Sequence, residues 1–241
     1  LDIKSMCKTS TKVFVLEVMG RHAGWIAAAG ELANNAKQTF VHKILLPEVS
    51  FDEDKFLNGV EKDVGDHGYS VIVASEGLKN KNGELYASST ETDSFGHNQL
   101  GGLAPKIASL ITEKLSLKNQ WSVADYLQRS ARHISSQTDI EQAVAVGKAA
   151  VKLAAEGKTG VMPIIKRISD SPYEWSISEG DLNEIANEEK TLPKHFISSD
   201  GFRITKAGRD YLQPLIEGES FPKFSNGIPI YEGLDLHLRK I

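Results

Sequence analysis

Hydrophobic positions in the first half of this chain switch repeatedly between short continuous runs and a helical period. Residues 13–18 form an apolar, β-branched-rich run around one glutamate, which predicts a buried strand. The run ends at Met19-Gly20-Arg21, and a small-residue helix is predicted over 25–34. A second strand over 40–46 stops at Pro47-Glu48. Asp52 then caps an amphipathic helix to about residue 67, with Phe56, Leu57, Val60 and Val64 on its apolar side and Gly68 ending it. Residues 69–74 read as another buried strand, closed by Ser75-Glu76-Gly77. The polar stretch 79–94, with its Lys-Asn-Gly, reads as a loop or exposed hairpin. Pro105 opens a helix to about residue 115, and a short strand is predicted over 121–125. Thr138 or Asp139 caps a long helix through residue 155, with Ala143, Gly147, Ala150 and Ala154 on a small-residue face. A strand over 160–165 follows. Beyond Lys166 prolines break the pattern, and the tail from residue 225 reads as a surface-hugging extension. Alternation of this kind predicts an α/β fold, layered around a mainly parallel sheet, with an irregular C-terminal part.

Composition narrows the classes. A chain of 241 residues with 40% hydrophobic and 25% charged positions is typical of a globular protein. Its net charge of −4 argues against coating a nucleic acid, while leaving room for a local basic pocket. The single cysteine, Cys7, excludes an internal disulfide and an all-cysteine metal cage. The seven histidines show no metal-ligand spacing. No apolar run approaches the ~20 residues needed to cross a bilayer, and no signal peptide is evident, so the expected setting is cytoplasmic, without a membrane. The first residue is Leu rather than Met, which leads to the expectation of a fragment or trimmed product.

In open parallel sheets, ligands sit beyond the carboxyl ends of the strands. Three polar groups are predicted at such ends: Met19-Gly20-Arg21, Glu76, and the segment Tyr126, Leu127, Gln128 and Arg129. Gly20 lets backbone N–H groups approach an oxygen, and a strand-turn-helix passage favours an anion. Arg21 and Arg129 offer forked donors for a phosphate, Glu76 accepts from sugar hydroxyls, and Tyr126 donates to a hydroxyl or phosphate. Each feature alone is equally compatible with a solvated turn, a loop cap or a surface salt bridge. Trp25, Trp121 and Trp175 read as core or interface residues.

These same segments resemble the phosphofructokinase family. Glu17-Val18-Met19-Gly20-Arg21 is similar to the motif that contacts fructose 6-phosphate, and the following His22-Ala23-Gly24-Trp25 resembles the pyrophosphate-dependent branch. Leu46-Pro47-Glu48 is similar to a strand end of the family. Val73-Ala74-Ser75-Glu76-Gly77 resembles the segment whose glutamate binds sugar hydroxyls, and Tyr126-Leu127-Gln128-Arg129 the one whose arginine binds the 6-phosphate. Lys12 stands where relatives place a basic residue that reaches a neighbouring subunit's sugar phosphate. The resemblance runs from about Ser10 to Ile165, and the tail through Tyr231 is also similar.

The resemblance implies the fructose 6-phosphate-binding part of a phosphotransferase that moves phosphate from pyrophosphate to the sugar 1-hydroxyl. Its ligands would be fructose 6-phosphate, fructose 1,6-bisphosphate and pyrophosphate, and its assembly a homo-oligomer. It further implies a sugar-phosphate domain over 1–127 and a 128–241 portion that packs on a donor domain. Two departures stand out. Lys118-Asn119-Gln120 replaces a second arginine expected just before the Tyr126 segment. The glycine-rich donor loop and the Thr-x-Asp general-base segment are not among these residues. Mg²⁺ and the base are therefore expected on residues outside this chain, no catalytic residue is assigned within it, and the isolated chain is expected to be inactive. An ATP-dependent phosphofructokinase and a non-catalytic sugar-phosphate sensor remain open alternatives.

Overall fold

A computed structural model describes residues 2–87 and 101–231. Four strands, β1 (Val13–Val18), β2 (Lys43–Leu45), β3 (Ser70–Ser75) and β4 (Asn119–Val123), form one parallel sheet in the order β2-β3-β1-β4. Side chains alternate between its two faces. Val13, Val15, Ile72 and Ala74 point into a core closed by α3 (Glu53–His67) and α4 (Leu103–Leu115) through Phe56, Leu57, Val60, Leu103, Ile107 and Ile111. Phe14, Val18, Val71 and Val73 point the other way, against α1 (Asp2–Thr9) and α2 (Trp25–Ala29) through Cys7, Ala27 and Ala28. Burial on both faces explains why β1 and β3 read as continuous apolar runs rather than as alternations.

Local signals account for several boundaries. The Asp52 carboxylate accepts from the Lys55 N–H at 3.0 Å, and Gly68 leaves α3 at φ 81°, a conformation that suits glycine. Other elements depart from the pattern. The helix expected over 25–34 is five residues of α-helix followed by a tighter turn over Gly30–Ala33. The helix expected from Pro105 starts at Leu103, after Gly102. Strand β4 starts two residues before the predicted one and stops at Val123, where the backbone turns into a single tight helical turn over Asp125–Arg129. Helix α5 (Gln137–Ala155) is capped by Ser136 rather than Thr138 or Asp139: the Ser136 Oγ accepts from the Asp139 N–H at 3.1 Å.

The largest departure lies beyond residue 160. Strand β5 (Val161–Asp170) continues past the predicted end and pairs antiparallel with β6 (Tyr173–Asp181) around the Ser171-Pro172 turn. A short helix α6 (Leu182–Ile185) follows. The chain then returns to the sheet. Leu192, Phe196, Ile204 and Leu212, the last at the end of α7 (Lys206–Leu212), enter the same core as Phe14, Val18 and Ala28. Strands β7 (Phe224–Ser225) and β8 (Ile228–Pro229) make a small hairpin in the tail. Of the stretch 79–94 expected as a loop or hairpin, residues up to 87 are described, with a bridge between Lys79 and Leu85, and 88–94 lie outside the described residues.

One buried group makes stability depend on acid. His42 accepts the Val71 N–H at its Nδ1, 3.1 Å away, and its Nε2 has no hydrogen-bond partner among the described residues. Burial holds its pKa down to about 4, against an opposing pull from Asp63, with His67, Lys43 and Arg203 also lowering it. Unfolded, the ring takes up a proton near pH 6.5; folded, it does so only near 4. Between these values the unfolded chain binds more protons, so stability falls as pH falls, by ~1.4 kcal/mol per unit and ~3 kcal/mol in all. Glu17, whose burial raises its pKa, acts in the opposite sense. Urea midpoints of wild type and His42→Phe from pH 7 to 4 separate the two. The variant should lose the steeper part of the slope; parallel curves would refute the assignment.

Candidate functional site

The sheet order makes a crevice. After β1 the chain moves past β3 to form β2, whereas after β3 it moves past β1 to form β4. Neighbouring strands whose chains depart in opposite directions leave a gap at their carboxyl ends, where ligands of open α/β sheets bind. Met19-Gly20-Arg21 leaves β1 at that gap and Glu76 leaves β3 beside it.

The two turns are bonded to one another. Glu76 Oε1 accepts from the N–H groups of Gly20 and Arg21, each at 3.1 Å. The oxygen that Gly20 admits is therefore a carboxylate of this chain. Arg21 is held at φ 46°, an uncommon value for a side-chain-bearing residue, and such strain concentrates at ligand sites. From the turn after β4, the Gln128 side-chain oxygen accepts the Met19 N–H at 3.2 Å. Gln128 thus orients the motif, and the Arg129 guanidinium stands 5.6 Å from the Tyr126 ring centre. Met19, Gly20, Arg21, Glu76, Tyr126, Gln128 and Arg129 line one open cleft of about 680 Å³. Its volume suits a small phosphorylated metabolite.

Two predicted residues lie elsewhere. Leu127 is 75% exposed and is not part of the cleft wall. Lys12 precedes β1, whose six residues separate it from Gly20 by roughly 20 Å. Its N–H donates to the Lys118 carbonyl at 2.8 Å, so both lysines stand at the amino end of the sheet.

The structure adds residues that the sequence pattern did not reveal. Glu17 is buried, and its Oε2 accepts the Ala104 N–H at 2.7 Å, at the amino end of α4. Burial raises its pKa, while the helix N–H groups pull the other way and Glu76 adds to the rise. An acidic residue inside an apolar strand was the available signal. Glu48 Oε1 accepts from Gly24 at 2.9 Å and from Leu192 at 2.8 Å, joining the motif's turn to a distant segment. That segment places Glu189 and Lys190 on the cleft wall. No local pattern announces contacts so remote in sequence.

The fold and cleft define a parallel α/β protein with an open polar cleft at the sheet's switch point. Comparison with known proteins then gives the family. The Phosphofructokinase profile matches residues 2–154, and the chain belongs to that family. A pyrophosphate–fructose 6-phosphate 1-phosphotransferase of Methylococcus capsulatus is 56% identical over 230 residues, covering 95% of this chain and 55% of that protein. The protein so named from Halomonas elongata is 54% identical, covering 98% of this chain and 57% of its own length. The crystal structure of pyrophosphate-dependent phosphofructokinase from Marinobacter aquaeolei matches with a TM-score of 0.81 at 51% identity, over 99% of this chain and 57% of that one. This chain spans a little over half the length of these relatives.

Proposed function

We propose that this chain is the fructose 6-phosphate-binding portion of a pyrophosphate-dependent phosphofructokinase. The observation that carries the reading is the convergence of Arg21, Glu76 and Arg129 on one cleft at the β1/β3 switch point. Arg21 and Arg129 would engage phosphate or sugar oxygens, and the Glu76 carboxylate, tied through one oxygen to the Gly20 and Arg21 N–H groups, would present the other to a sugar hydroxyl. Met19 and Gly20 would form the floor, with Gln128 fixing its position and Tyr126 closing the phosphate end. The choice of pyrophosphate as donor rests on the names of the relatives and on the His22-Ala23-Gly24-Trp25 extension.

Magnesium enters the proposal as the partner of the donor pyrophosphate. Among the described residues no group of three or more His, Cys, Asp or Glu side chains is placed to hold a metal ion. In the same reading the region around 128–165 packs on a donor domain, which fits the exposed apolar side chains of Ile134, Val144, Val151 and Ile165. Lys12 and Lys118, at the opposite end of the sheet, would act across a subunit contact of a homo-oligomer. Among the described residues no helix is long and apolar enough to cross a membrane; a cytoplasmic setting is part of the proposal.

Calorimetric titration with fructose 6-phosphate tests the site. Arg129→Ala should weaken binding by about 30–100-fold, the loss of charge-assisted hydrogen bonds worth ~2–3 kcal/mol. Equal affinities of variant and wild type would refute the assignment of Arg129 to the phosphate.

A further inference from the structure

Residues 189–192 come back to the cleft from the far side of the β5–β6 hairpin, and they are fastened there at several points. The Trp25 Nε1–H donates to the Lys190 carbonyl at 2.6 Å. Two residues on, the Leu192 N–H donates to Glu48 Oε1, the same oxygen that accepts from Gly24 in the turn below Arg21. Trp25 is itself wedged against Phe196 and Tyr211, with ring centres 6.3 and 5.6 Å away. The backbone of Lys190 is thus set by the turn that carries Arg21. Its ammonium lies 5.9 Å from the Trp25 ring centre, within reach of a weak cation–π contact and otherwise exposed.

Charge along the cleft gives this lysine a task. The lining carries three cations, Arg21, Arg129 and Lys190, and three carboxylates, Glu76, Asp125 and Glu189. Glu189 faces His22, 3.9 Å from its Nε2. Without Lys190 an incoming phosphate, which carries close to two negative charges at neutral pH, would meet two cations against three carboxylates. With it, the cleft wall adds an ammonium to the guanidiniums of Arg21 and Arg129. A lysine on a flexible stem suits a position where the phosphate enters and leaves.

We propose that Lys190 is a third phosphate-binding cation of this cleft, held in reach by the Trp25 and Glu48 anchors. The proposal rests on the sugar-phosphate reading above. The test is fructose 6-phosphate affinity, by calorimetry on the full-length protein, at salt concentrations from low to high. Lys190→Met keeps the aliphatic stem and removes the charge. It should weaken binding about tenfold and make the affinity less sensitive to salt, with an unchanged thermal midpoint. Lys190→Arg should return the affinity to within about threefold of wild type. Arg129→Ala runs alongside. If Arg129→Ala weakens binding and Lys190→Met does not, the Lys190 inference fails while the site stands. If neither does, the site reading itself fails. A loss in Lys190→Met with unaltered salt sensitivity and no rescue by arginine would assign Lys190 to packing on Trp25 and overturn the proposal.

Discussion

Gly77→Ala should destabilise the protein by roughly 3–5 kcal/mol and abolish measurable fructose 6-phosphate binding. A Cβ at residue 77 would lie 1.5 Å from the Arg21 carbonyl oxygen and 2.5 Å from its carbon. Those atoms are backbone, so no rotamer change relieves the overlap; the two turns must separate. Separation breaks both Glu76 bonds to Gly20 and Arg21, at about 1.5–3 kcal/mol for each hydrogen bond to a charged group. The same movement removes Arg21 from the cleft. Gly68→Ala is the matched control. It strains a positive φ at the end of α3 but meets open space, so it should cost only ~1–2 kcal/mol and leave binding intact. Urea unfolding and calorimetry on both variants check the pair. Wild-type stability and affinity in Gly77→Ala would show that the turns do not need this approach.

That contact also marks how far the sequence could be read. Strands β1 and β3 and helix α3 were legible because each satisfies its own local rule: unbroken apolar runs for doubly buried strands, a 3.6-residue stripe between Asp52 and Gly68 for the helix. The convergence of Met19-Gly20-Arg21, Glu76 and the Tyr126 segment on one cleft was legible from the same reading, since a parallel sheet opens its crevice at the carboxyl ends of its strands. What failed depended on partners. Helix α1 is eight residues long, too short to persist alone, and it exists because Cys7 and its neighbours pack under Phe14. Strand β5 carries Pro163 and exposes much of both faces, so it reads as loose chain until β6 supplies its hydrogen bonds. The role of Glu76 shifted in the same way. Its position was evident, but its hold on the Gly20 and Arg21 N–H groups is a contact across 55 residues of chain, with no trace in either segment alone.

Glu31→Ala carries the second large expected effect, and it links the C-terminal segment to the cleft. The Glu31 side chain is 4% exposed and is gripped by Arg203 through Nε at 2.8 Å and a terminal nitrogen at 2.6 Å. A second guanidinium, Arg209, lies 3.6 Å from the same carboxylate and donates to the Asn34 carbonyl at 2.9 Å. Removing one partner of a buried ion pair costs ~3–5 kcal/mol. Here the arginines are about one-third exposed and keep some hydration, which lowers the expectation to about 2–4 kcal/mol. The loss should be uneven. Arg203 and Arg209 hold the chain around α7 against the Gly30–Ala33 turn, so hydrogen exchange should accelerate over 192–216 before it does in β1 or β3. Residues 189–192 lie immediately upstream of that segment, and fructose 6-phosphate affinity should fall with it. Replacing both partners, Glu31→Met with Arg203→Met, should recover part of the stability, because Arg203 is then not left without its carboxylate, while Arg209 keeps its bonds to the Glu31 and Asn34 carbonyls. Uniform exchange across the sheet in Glu31→Ala, or a double variant no better than the single one, would mean that the segment is held by its apolar contacts alone.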